Sequence, residues 1–511
     1  MKTISRVIIV GGGTAGWLTA AFLAKSLGST APGAVAVTVV ESPEIATIGV
    51  GEGSFPSMRG TLAAIGIDEA RFVRECHATF KQGIKFVDWV RPPGTPGVDH
   101  YFHPFSLPSQ RAGGPELLPY WLQGVAPTGV AFADAVTMQK RIADQCHAPK
   151  REIDQDFLGP MNYAYHFDAG LFAGLLERHA KTLGVEHQQA TIADVVLTED
   201  GAIAELLTSE GARLSADLYI DCTGFRAALI GKALGSPFQS VDDTLFVDRA
   251  VAMQVPYSSP ESSIPSYTVS TAQTAGWIWD IGLQQRRGIG YVYASRYQDD
   301  VSAEKTLRDY IGPAADAHTA RVISLKLGYR PQQWVKNCVA VGLSGGFLEP
   351  LEASGIGLVE TAAYYISYLF PMDGNQAPVA ALFNDLMRQR YERIVDFIKM
   401  HYCLTQRRDS AFWRDNVDPV SDKLKQQLAM WRSRPPHRLD FVSDVEMYPC
   451  SSWQYVLYGM EFQTTLPPNP HVWHRAADAA KEFEMIAMLS HRALKDLPTH
   501  RALIHHLCQR R

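Results

Sequence analysis

Lys81 is the first residue whose setting could support chemistry. It lies in FKQGIKF, the largely aromatic and apolar run from Phe80 to Phe86. An ammonium group removed from water is a strong hydrogen-bond donor and, when its pKa falls, a nucleophile. The ordinary alternative is a solvated lysine, which we expect for at least one of Lys81 and Lys85.

A second candidate is the acidic turn EPLEASG, in which Glu349 and Glu352 stand three residues apart before a helix-prone segment. A carboxylate at such a position can accept a proton. Backbone N–H groups of Ser354 and Gly355, in a turn at a helix N-terminus, can bind an anion. The structural alternative is a helix cap, with Ser354 at the N-cap position.

Aromatic side chains form two further groups. Trp277 and Trp279 alternate in WIWDI, which places both indoles on one face of a strand, although core packing is the alternative. His103 and Phe105 lie in the proline-rich segment 91–119, where ordinary packing is again the alternative. We predict that this segment is an irregular loop that covers another part of the molecule.

A glycine-rich turn between a strand and a helix must position part of this chemistry. The glycines permit a tight turn and let the backbone approach a pyrophosphate at the helix N-terminus. Glu41 ends the next β-rich run, where an acid binds ribose hydroxyls. The pattern predicts a parallel dinucleotide-binding sheet. The residues of the turn that would contact the nucleotide are Gly11, Gly13, Thr14, Ala15 and Gly16.

Later segments favour FAD over a nicotinamide cofactor. Residues 191–221 are predicted to form a β-meander that ends in a strand returning to the nucleotide sheet, and the run 337–342 repeats that strand pattern. Helical patterns dominate after about residue 380. We therefore predict an α/β fold. A discontinuous, Rossmann-like FAD-binding domain of the aromatic-hydroxylase type would span residues 1–380, and a mostly helical substrate lobe would span residues 381–511.

The overall composition excludes several classes of protein. The 511 residues are 46% hydrophobic and carry a net charge of −5, which supports a large core and gives no basic surface for nucleic acid or membrane lipids. Seven cysteines without a CxxC pair, and no signal-peptide or membrane-spanning pattern, predict a reduced, cytoplasmic protein. We predict no metal site, because the C-terminal group His500, His505, His506 and Cys508 matches no established ligand spacing.

Four motifs together resemble the flavin-dependent halogenases of the tryptophan-halogenase family. The likeness covers most of residues 1–370. It implies that a separate flavin reductase supplies reduced FAD, that oxygen converts the flavin into a C4a-hydroperoxide, and that halide attacks this group to give hypohalous acid. The motifs are GGGTAGW at Gly11 to Trp17, FKQGIKFVDW at Phe80 to Trp89, WIWDI at Trp277 to Ile281 and FLEPLEASGI at Phe347 to Ile356.

The resemblance also implies roles for single residues. Lys81 holds or covalently captures hypohalous acid and delivers it to an electron-rich aromatic such as indole, and Glu352 polarises the electrophile or takes the ring proton. Gly342 and Ile356 would contact the cofactor, in addition to the glycine turn and Glu41. Ser354 and Gly355 would bind halide. Trp277 and Trp279 would separate the flavin from the substrate, and His103 and Phe105 would stack against the substrate.

Two positions depart from the family pattern. Ala353 stands where many relatives carry serine, and Gly282 stands where the W-x-W-x-I-P motif has proline, which is predicted to loosen the end of that strand. The residues with which tryptophan-specific members clamp the amino-acid backbone are not recognisable in Tyr448 to Phe462. We therefore predict an indole-type aromatic rather than free tryptophan as the substrate.

Two other functions remain open at this point. A flavin-dependent aromatic monooxygenase would need its substrate beside the flavin, and Trp277, Trp279, Lys81 and Glu352 argue against it. A catalytically inactive FAD-binding protein would be expected to lose Lys81 and Glu352. As partners we expect the flavin reductase and a small aromatic substrate, with no nucleic acid and no membrane, in a monomer or a homodimer.

Overall fold

The computed structural model describes residues 3–31, 33–44, 51–442, 445–469 and 471–510. The chain divides into two units, each assembled from three segments. The first unit comprises Met1–Ala78, Phe167–Val241 and Lys326–Glu392, and the second comprises Thr79–His166, Asp242–Leu325 and Arg393–Arg511.

The centre of the first unit is a six-stranded sheet. Every pair of neighbouring strands is parallel except the first pair in the order below. The predicted parallel sheet and its two returning strands are confirmed. In spatial order the strands are β20 (Trp334–Val335), β21 (Cys338–Ala340), β12 (Leu218–Asp221), β1 (Arg6–Val10), β2 (Ala36–Glu41) and β8 (Glu186–Gln189).

Helices and short strands complete the first unit. The predicted β-meander is confirmed, and its hairpins turn at Gly201 and Gly211, whose φ angles are +83° and +85°. The helices are α1 (Thr14–Leu27), α2 (Ser57–Ile65), α3 (Glu69–Glu75), α7 (Ala169–Thr182) and α9 (Ser354–Tyr368). The remaining strands are β3 (Gly51–Gly53), the meander strands β9 (Ile192–Leu197), β10 (Ile203–Thr208) and β11 (Arg213–Leu214), and β13 (Gln239–Ser240), β19 (Gly328–Tyr329) and β22 (Gly346–Phe347).

The second unit contains a seven-stranded sheet. Its neighbouring strands are antiparallel except for β15 and β5, which are parallel. In spatial order the strands are β18 (Arg321–Ser324), β14 (Arg249–Pro256), β17 (Arg286–Tyr293), β16 (Gly276–Gly282), β15 (Thr268–Gln273), β5 (Gly83–Val87) and β6 (His100–Pro104). Separately, β4 (Thr79–Lys81) pairs with β7 (Ala164–Asp168) in antiparallel orientation.

Helices account for the regular structure described after residue 380, as the pattern predicted. The boundary between the two units falls within α10 (Gln376–Cys403). None of the helices in the described ranges is both long and apolar enough to cross a membrane. The helices of the second unit are α4 (Leu117–Leu122), α5 (Phe132–Val136), α6 (Gln139–Asp144), α8 (Asp300–Ile311), α11 (Ala411–Asp415), α12 (Asp422–Trp431), α13 (Cys450–Gly459), α14 (Ala476–Asp496) and α15 (His500–Gln509).

Segment 91–119 differs from the irregular loop that its prolines suggested. Residues His100–Pro104 form β6 and pair with β5, because a short run rich in aromatic residues, HYFHP, interrupts the prolines and is buried. The helical C-terminal segment belongs to the same unit as the seven-stranded sheet. That the cofactor and substrate functions divide at residue 380 stays a prediction.

Candidate active site

The turn between β1 and α1 excludes side chains at two of its glycines. Gly11 has a φ of +119°, and its N–H donates to the Val40 carbonyl at 2.8 Å. A Cβ atom on Gly16 would lie 1.9 Å from the Gly11 carbonyl oxygen, well inside contact distance. The predicted strand, turn and helix are confirmed, and close backbone packing fixes the turn.

The N-terminus of α1 has the properties of an anion site. Gly13 is its N-cap residue, Thr14 and Ala15 begin its first turn, and within the described chain no side chain caps this end. A Cβ atom on Gly13 would meet no described atom within 4 Å. Uncapped N–H groups at the positive end of a helix favour a phosphate. This geometry fits the pyrophosphate of a dinucleotide.

Glu41 ends β2 beside the same turn. A Cβ atom on Gly12 would lie 2.1 Å from the Glu41 Cδ atom, so the carboxyl group rests against the glycine backbone. Burial raises the pKa of Glu41, and the imidazole of His187, whose Nε2 lies 3.1 Å from Oε2, acts in the opposite direction. A half-buried carboxylate here can accept hydrogen bonds from ribose hydroxyls.

Two further predicted cofactor residues lie in the same unit. Gly342 has a φ of +73°, and a Cβ atom on it would lie 2.9 Å from the Ala15 Cβ atom, so this glycine packs against the start of α1. Ile356 is buried in the first turn of α9, and α9 packs against α1. The residues that sequence assigned to FAD therefore all lie in the first unit, on or next to elements that pack against α1.

Lys81 is a buried cation in the second unit. It retains 1% of its accessible surface and lies opposite Ala164 at the end of β4. Its Nζ lies 5.3 Å from the centre of the Phe105 ring, a cation–π distance. Lys85, by contrast, is half-buried and donates to Asp144 Oδ1 at 3.3 Å. One of the two lysines thus points inward, as the sequence allowed.

His166, opposite Thr79 on β7, carries the electrostatic effect of this buried cation. Its pKa is lowered well below the usual value, mainly because the ring is buried and further because the Lys81 ammonium is nearby. Its Nε2 lies 2.8 Å from the Thr268 hydroxyl. A neutral imidazole beside Lys81 avoids a second buried positive charge.

His103 and Phe105 lie near Lys81 in the second unit. The N–H of Phe105 donates to the Gln82 carbonyl at 3.1 Å, which ties the end of β6 to the residue after Lys81. His103 is buried, its Nε2 lies 2.8 Å from the Ser452 hydroxyl, and its ring meets Phe105 edge-on at 6.2 Å. The structure therefore brings the predicted lysine and both predicted stacking residues together.

Both predicted indoles lie on β16. Their ring centres are 6.4 Å apart in an edge-on contact, as expected for residues that alternate on one face of a strand. Trp279 lies across Gly290 of β17, where a Cβ atom would be 2.2 Å from the indole. Trp277 is buried, and its Nε1 has no hydrogen-bond partner among the residues the structure describes.

The predicted loosening at Gly282 is wrong. Gly282 is the last residue of β16 and pairs with Arg287 on β17, and its carbonyl accepts a 2.6 Å hydrogen bond from the Thr79 hydroxyl. A Cβ atom at Gly282 would lie 2.8 Å from the Tyr257 hydroxyl and 2.9 Å from Ile264 Cγ2. Neighbouring side chains occupy this space, so the strand end stays ordered.

The acidic turn joins a 3₁₀ helix, Pro350–Glu352, to α9 in the first unit. Ala353 is the N-cap residue, with φ +55° and ψ 39°, so the structural alternative of Ser354 at the N-cap does not hold. The chain needs a left-handed residue between the two helices, which costs about 1 kcal/mol for alanine. Glu352 is buried.

The start of α9 has the properties of a second anion site. In the described part of the chain no side chain caps this helix, and the Ser354 Oγ, which is buried, has no hydrogen-bond partner there. Gly355 follows Ser354 in the first turn. Their backbone N–H groups are free of side-chain caps at a positive helix end, which suits a small anion.

Sequence reasoning missed partners that arrive from distant segments. His166 could have been found from the alternation in NYAYHFD, which predicts a buried strand. Ser452 and Tyr455 of α13, which contact His103, belong to no motif. The sequence offers His500 only as a metal ligand, yet its side chain accepts a hydrogen bond from the Phe80 N–H, directly before Lys81.

Comparison with known proteins decides the family. A sequence profile described as "Tryptophan halogenase" matches residues 6–481. The chain belongs to the tryptophan halogenase family. It is 36% identical over 503 residues to the tryptophan 6-halogenase SttH of Streptomyces toxytricini, with 94% of each chain covered.

Solved structures of relatives agree with this tryptophan halogenase family assignment. The crystal structure of a tryptophan halogenase from Shewanella frigidimarina has a TM-score of 0.94 at 41% identity, covering 99% of this chain and 98% of that chain. Tar14, a tryptophan C-6 flavin-dependent halogenase from taromycin biosynthesis, has a TM-score of 0.91 at 36% identity, covering 99% of this chain and 100% of its own.

Membership of the tryptophan halogenase family confirms the predicted fold class, enzyme class and cofactor. The protein is a flavin-dependent halogenase that uses reduced FAD and halide. Enzymes of this family typically need a separate flavin reductase and act on tryptophan-type substrates. The family assignment favours a halogenase over the two functions that the sequence left open, an aromatic monooxygenase and a catalytically inactive FAD-binding protein.

Proposed function

We propose that this halogenase uses Lys81 to hold or capture hypohalous acid and to present the halogen to an indole-type aromatic beside His103 and Phe105. The observation that carries the proposal is the buried Lys81 ammonium, 5.3 Å from the Phe105 ring. A desolvated ammonium donates strong hydrogen bonds, and as a free amine it can form an N–halogen bond while water leaves. The carbon nearest Lys81 would then be halogenated, because proximity sets the position.

Bound reduced FAD supplies, with oxygen, the oxidising equivalent that turns halide into hypohalous acid. The uncapped start of α1, the open space at Gly13 and the half-buried Glu41 support binding of its dinucleotide part in the first unit. The residues proposed to hold it are Gly11, Gly13, Thr14, Ala15, Gly16, Glu41, Gly342 and Ile356.

Halide is proposed to bind at the start of α9. The N–H groups of Ser354 and Gly355 and the Ser354 hydroxyl offer donors to an anion, supported by the missing side-chain cap within the described residues. Glu352, a buried carboxylate, is proposed to polarise the electrophile or to accept the proton that the ring loses when aromaticity returns.

Trp277 and Trp279 are proposed to keep the aromatic substrate away from the flavin. Their tight packing on β16, with Trp279 across Gly290, supports a rigid wall rather than a mobile cover. The relatives named above act on tryptophan. For this chain we propose an indole-type aromatic.

We also propose that the protein works in a reducing, cytoplasmic compartment. All seven cysteines are free thiols, which suits such a compartment. The net charge of −5 supports the absence of a nucleic-acid or lipid-surface partner.

Replacement of Lys81 tests the proposed function. Indole is incubated with the protein, FAD, NADH, a generic flavin reductase, oxygen and bromide, and products are identified by mass spectrometry. We expect Lys81→Met, which keeps most of the side-chain volume, to lower the bromoindole yield by at least about 100-fold, because the group that holds the oxidant is lost. FAD binding and the melting temperature should be unchanged.

Lys85→Met is the matched control, since Lys85 lies four residues away and is half-buried beside Asp144. It should keep its bromoindole yield within about threefold of the unmodified protein, because surface ion pairs contribute little. Undiminished halogenation by Lys81→Met would remove Lys81 from the mechanism. A product heavier by one oxygen, formed by the unmodified protein, would move the assignment to a monooxygenase.

A further inference from the structure

Within the described ranges of the chain, the strand that carries Lys81 has a strand partner on one edge and none on the other. β4 pairs with β7, whereas the N–H groups on either side of Lys81 donate to groups outside any strand. The Phe80 N–H donates to His500 Nε2 at 2.8 Å, and the Gln82 N–H donates to the Ser266 carbonyl at 2.6 Å. The backbone of Lys81 is therefore held between these two hydrogen bonds.

His500 is the first residue of α15 and is fully buried. Its Nδ1 lies 2.9 Å from the Ile264 carbonyl oxygen, which can only accept, so Nδ1 carries the ring proton and Nε2 is the acceptor for Phe80. Both ring nitrogens are thus engaged by backbone groups, which leaves neither of them to bind a metal ion.

Further contacts hold α15 against the same segment. Thr499 caps the helix by accepting from the Ala502 N–H, and the His500 N–H donates to the Cys146 carbonyl at 2.8 Å. The His147 carbonyl accepts a 2.8 Å bond from the side chain of Gln82, the residue after Lys81. The His500 ring is consequently a rigid support for β4 and not a freely rotating side chain.

Charge reinforces this arrangement. Burial lowers the pKa of His500 to about 4, with the Ile264 carbonyl acting to raise it and the Arg501 guanidinium to lower it. His166, itself held neutral, interacts electrostatically with both His500 and Lys81. The neutral His500 ring keeps Nε2 as a hydrogen-bond acceptor at neutral pH. Protonation would place a hydrogen on Nε2 that faces the Phe80 N–H.

We propose that His500 is a positioning residue for halogenation, acting through the Phe80 N–H to fix the direction of the Lys81 ammonium. The inference rests on the proposed role of Lys81. If β4 shifts, the long lysine side chain moves with it, and hypohalous acid escapes to solvent instead of reacting with the bound aromatic. Loss of His500 should therefore uncouple oxidant formation from aromatic halogenation.

The test compares two products of one reaction. Bromoindole and the bromination of monochlorodimedone, a diffusible trap for free hypobromous acid, are each measured per NADH consumed. We expect His500→Phe, which keeps a ring but removes both nitrogens, to lower bromoindole per NADH about tenfold to 100-fold and to raise trap bromination, as misplacement by about 1 Å can do. His500→Gln keeps an acceptor and should restore coupling to within about threefold.

His505→Phe is the matched control, because His505 lies on the same helix and is exposed. Its ratio of bromoindole to trap bromination should equal that of the unmodified protein. Assays are run well below each melting temperature, so that a merely structural loss would lower both products and leave their ratio unchanged. Normal coupling in folded His500→Phe, or equal uncoupling in His500→Gln, would overturn the proposal.

Thr79→Val keeps the inference testable if His500→Phe does not fold. This variant removes the hydrogen bond from Thr79 to the Gly282 carbonyl at the other end of β4. It should also raise trap bromination relative to bromoindole. An unchanged ratio of the two products in Thr79→Val would then reject the proposal. Lys81→Met is assayed in parallel. If Lys81→Met halogenates indole normally, the proposed function fails. If Lys81→Met loses the product while His500→Phe keeps its normal ratio of bromoindole to trap bromination, only the role of His500 is rejected.

Discussion

Burial distinguishes the charged side chains that are suited to chemistry from the charged side chains that lie at the surface in contact with water. Lys81 and Lys85 stand four residues apart, yet Lys81 is buried near the Phe105 ring and Lys85 is half-buried beside Asp144. A carboxylate or ammonium removed from water interacts strongly with whatever approaches it, because the local dielectric constant is low. This is the physical basis for proposing that Lys81 and Glu352 each take part in the chemistry.

Glu352→Gln tests the proton-accepting role at the scale of one side chain. We expect product formation to fall by about 100-fold, since an amide cannot accept the ring proton and general-base catalysis supplies about that factor. The melting temperature should stay within a few degrees, because glutamine has nearly the same shape. The rate of bromoindole formation and thermal unfolding are measured on the same preparation.

Glu349→Gln is the matched control for this prediction, as Glu349 is buried in the same turn. It should retain halogenation if only Glu352 takes the proton. A large loss of thermal stability in Glu352→Gln with unchanged turnover per folded molecule would instead favour a structural role for this carboxylate.

At the scale of elements, the turn before α1 uses its glycines for different reasons. A Cβ atom on Gly16 would lie 1.9 Å from the Gly11 carbonyl oxygen, whereas one on Gly13 would meet no described atom within 4 Å. Gly16 is therefore required by the packing of the turn itself. Gly13 is required only if something outside the chain must approach the helix N-terminus closely.

Two alanine substitutions separate these requirements. Gly13→Ala should keep the melting temperature of the protein without cofactor but weaken FAD binding by about tenfold or more, because its methyl group occupies the approach path of the pyrophosphate. Gly16→Ala should lower the melting temperature of the cofactor-free protein. Thermal unfolding without FAD and titration with FAD check both. Unchanged FAD affinity in Gly13→Ala would place the pyrophosphate elsewhere.

At the scale of the whole molecule, both units are assembled from segments far apart in the sequence. The C-terminal helices share a unit with a seven-stranded sheet whose strands come from earlier parts of the chain. The predicted division at residue 380 places the C-terminal helices and this sheet in different domains. Composition and periodicity reveal the elements of a chain but not the elements on which each of them packs.

The free energy of unfolding should respond to pH through a buried acid, Glu360 of α9. Burial raises its pKa from 4.5 to about 7, although the Ser57 and Thr61 hydroxyls donate to it. The folded state then binds the proton more tightly than the unfolded state. Ionisation of Glu360 therefore costs stability as pH rises from 4.5 to 7, and the cost is complete above pH 7.

Glu360→Gln removes this titration. We expect it to unfold at the same denaturant concentration as the unmodified protein near pH 4.5 and to be more stable by about 1 to 3 kcal/mol at pH 8. Chemical denaturation at several pH values measures the difference. The exposed Glu199→Gln should show no such trend, and a stability difference independent of pH in Glu360→Gln would contradict the assignment.

The sequence by itself determined the elements whose signals are local. The apolar run before the glycine turn, the alternation of Trp277 and Trp279 and the paired turns of the meander each lie within a few residues, where backbone preference and side-chain periodicity act. These signals, with the family motifs, sufficed for the parallel sheet, the flavin cofactor and the candidate residues Lys81 and Glu352.

Only the tertiary structure decided what surrounds those residues. Sequence left open which lysine is buried and whether Ser354 caps α9, a position that Ala353 takes. It also predicted a loose end at Gly282, where Tyr257 and Ile264 in fact fill the space. His500 reaches the Phe80 N–H across 420 residues of chain. Burial and such long-range contacts depend on how sheets and helices pack, and no local pattern of residues encodes them.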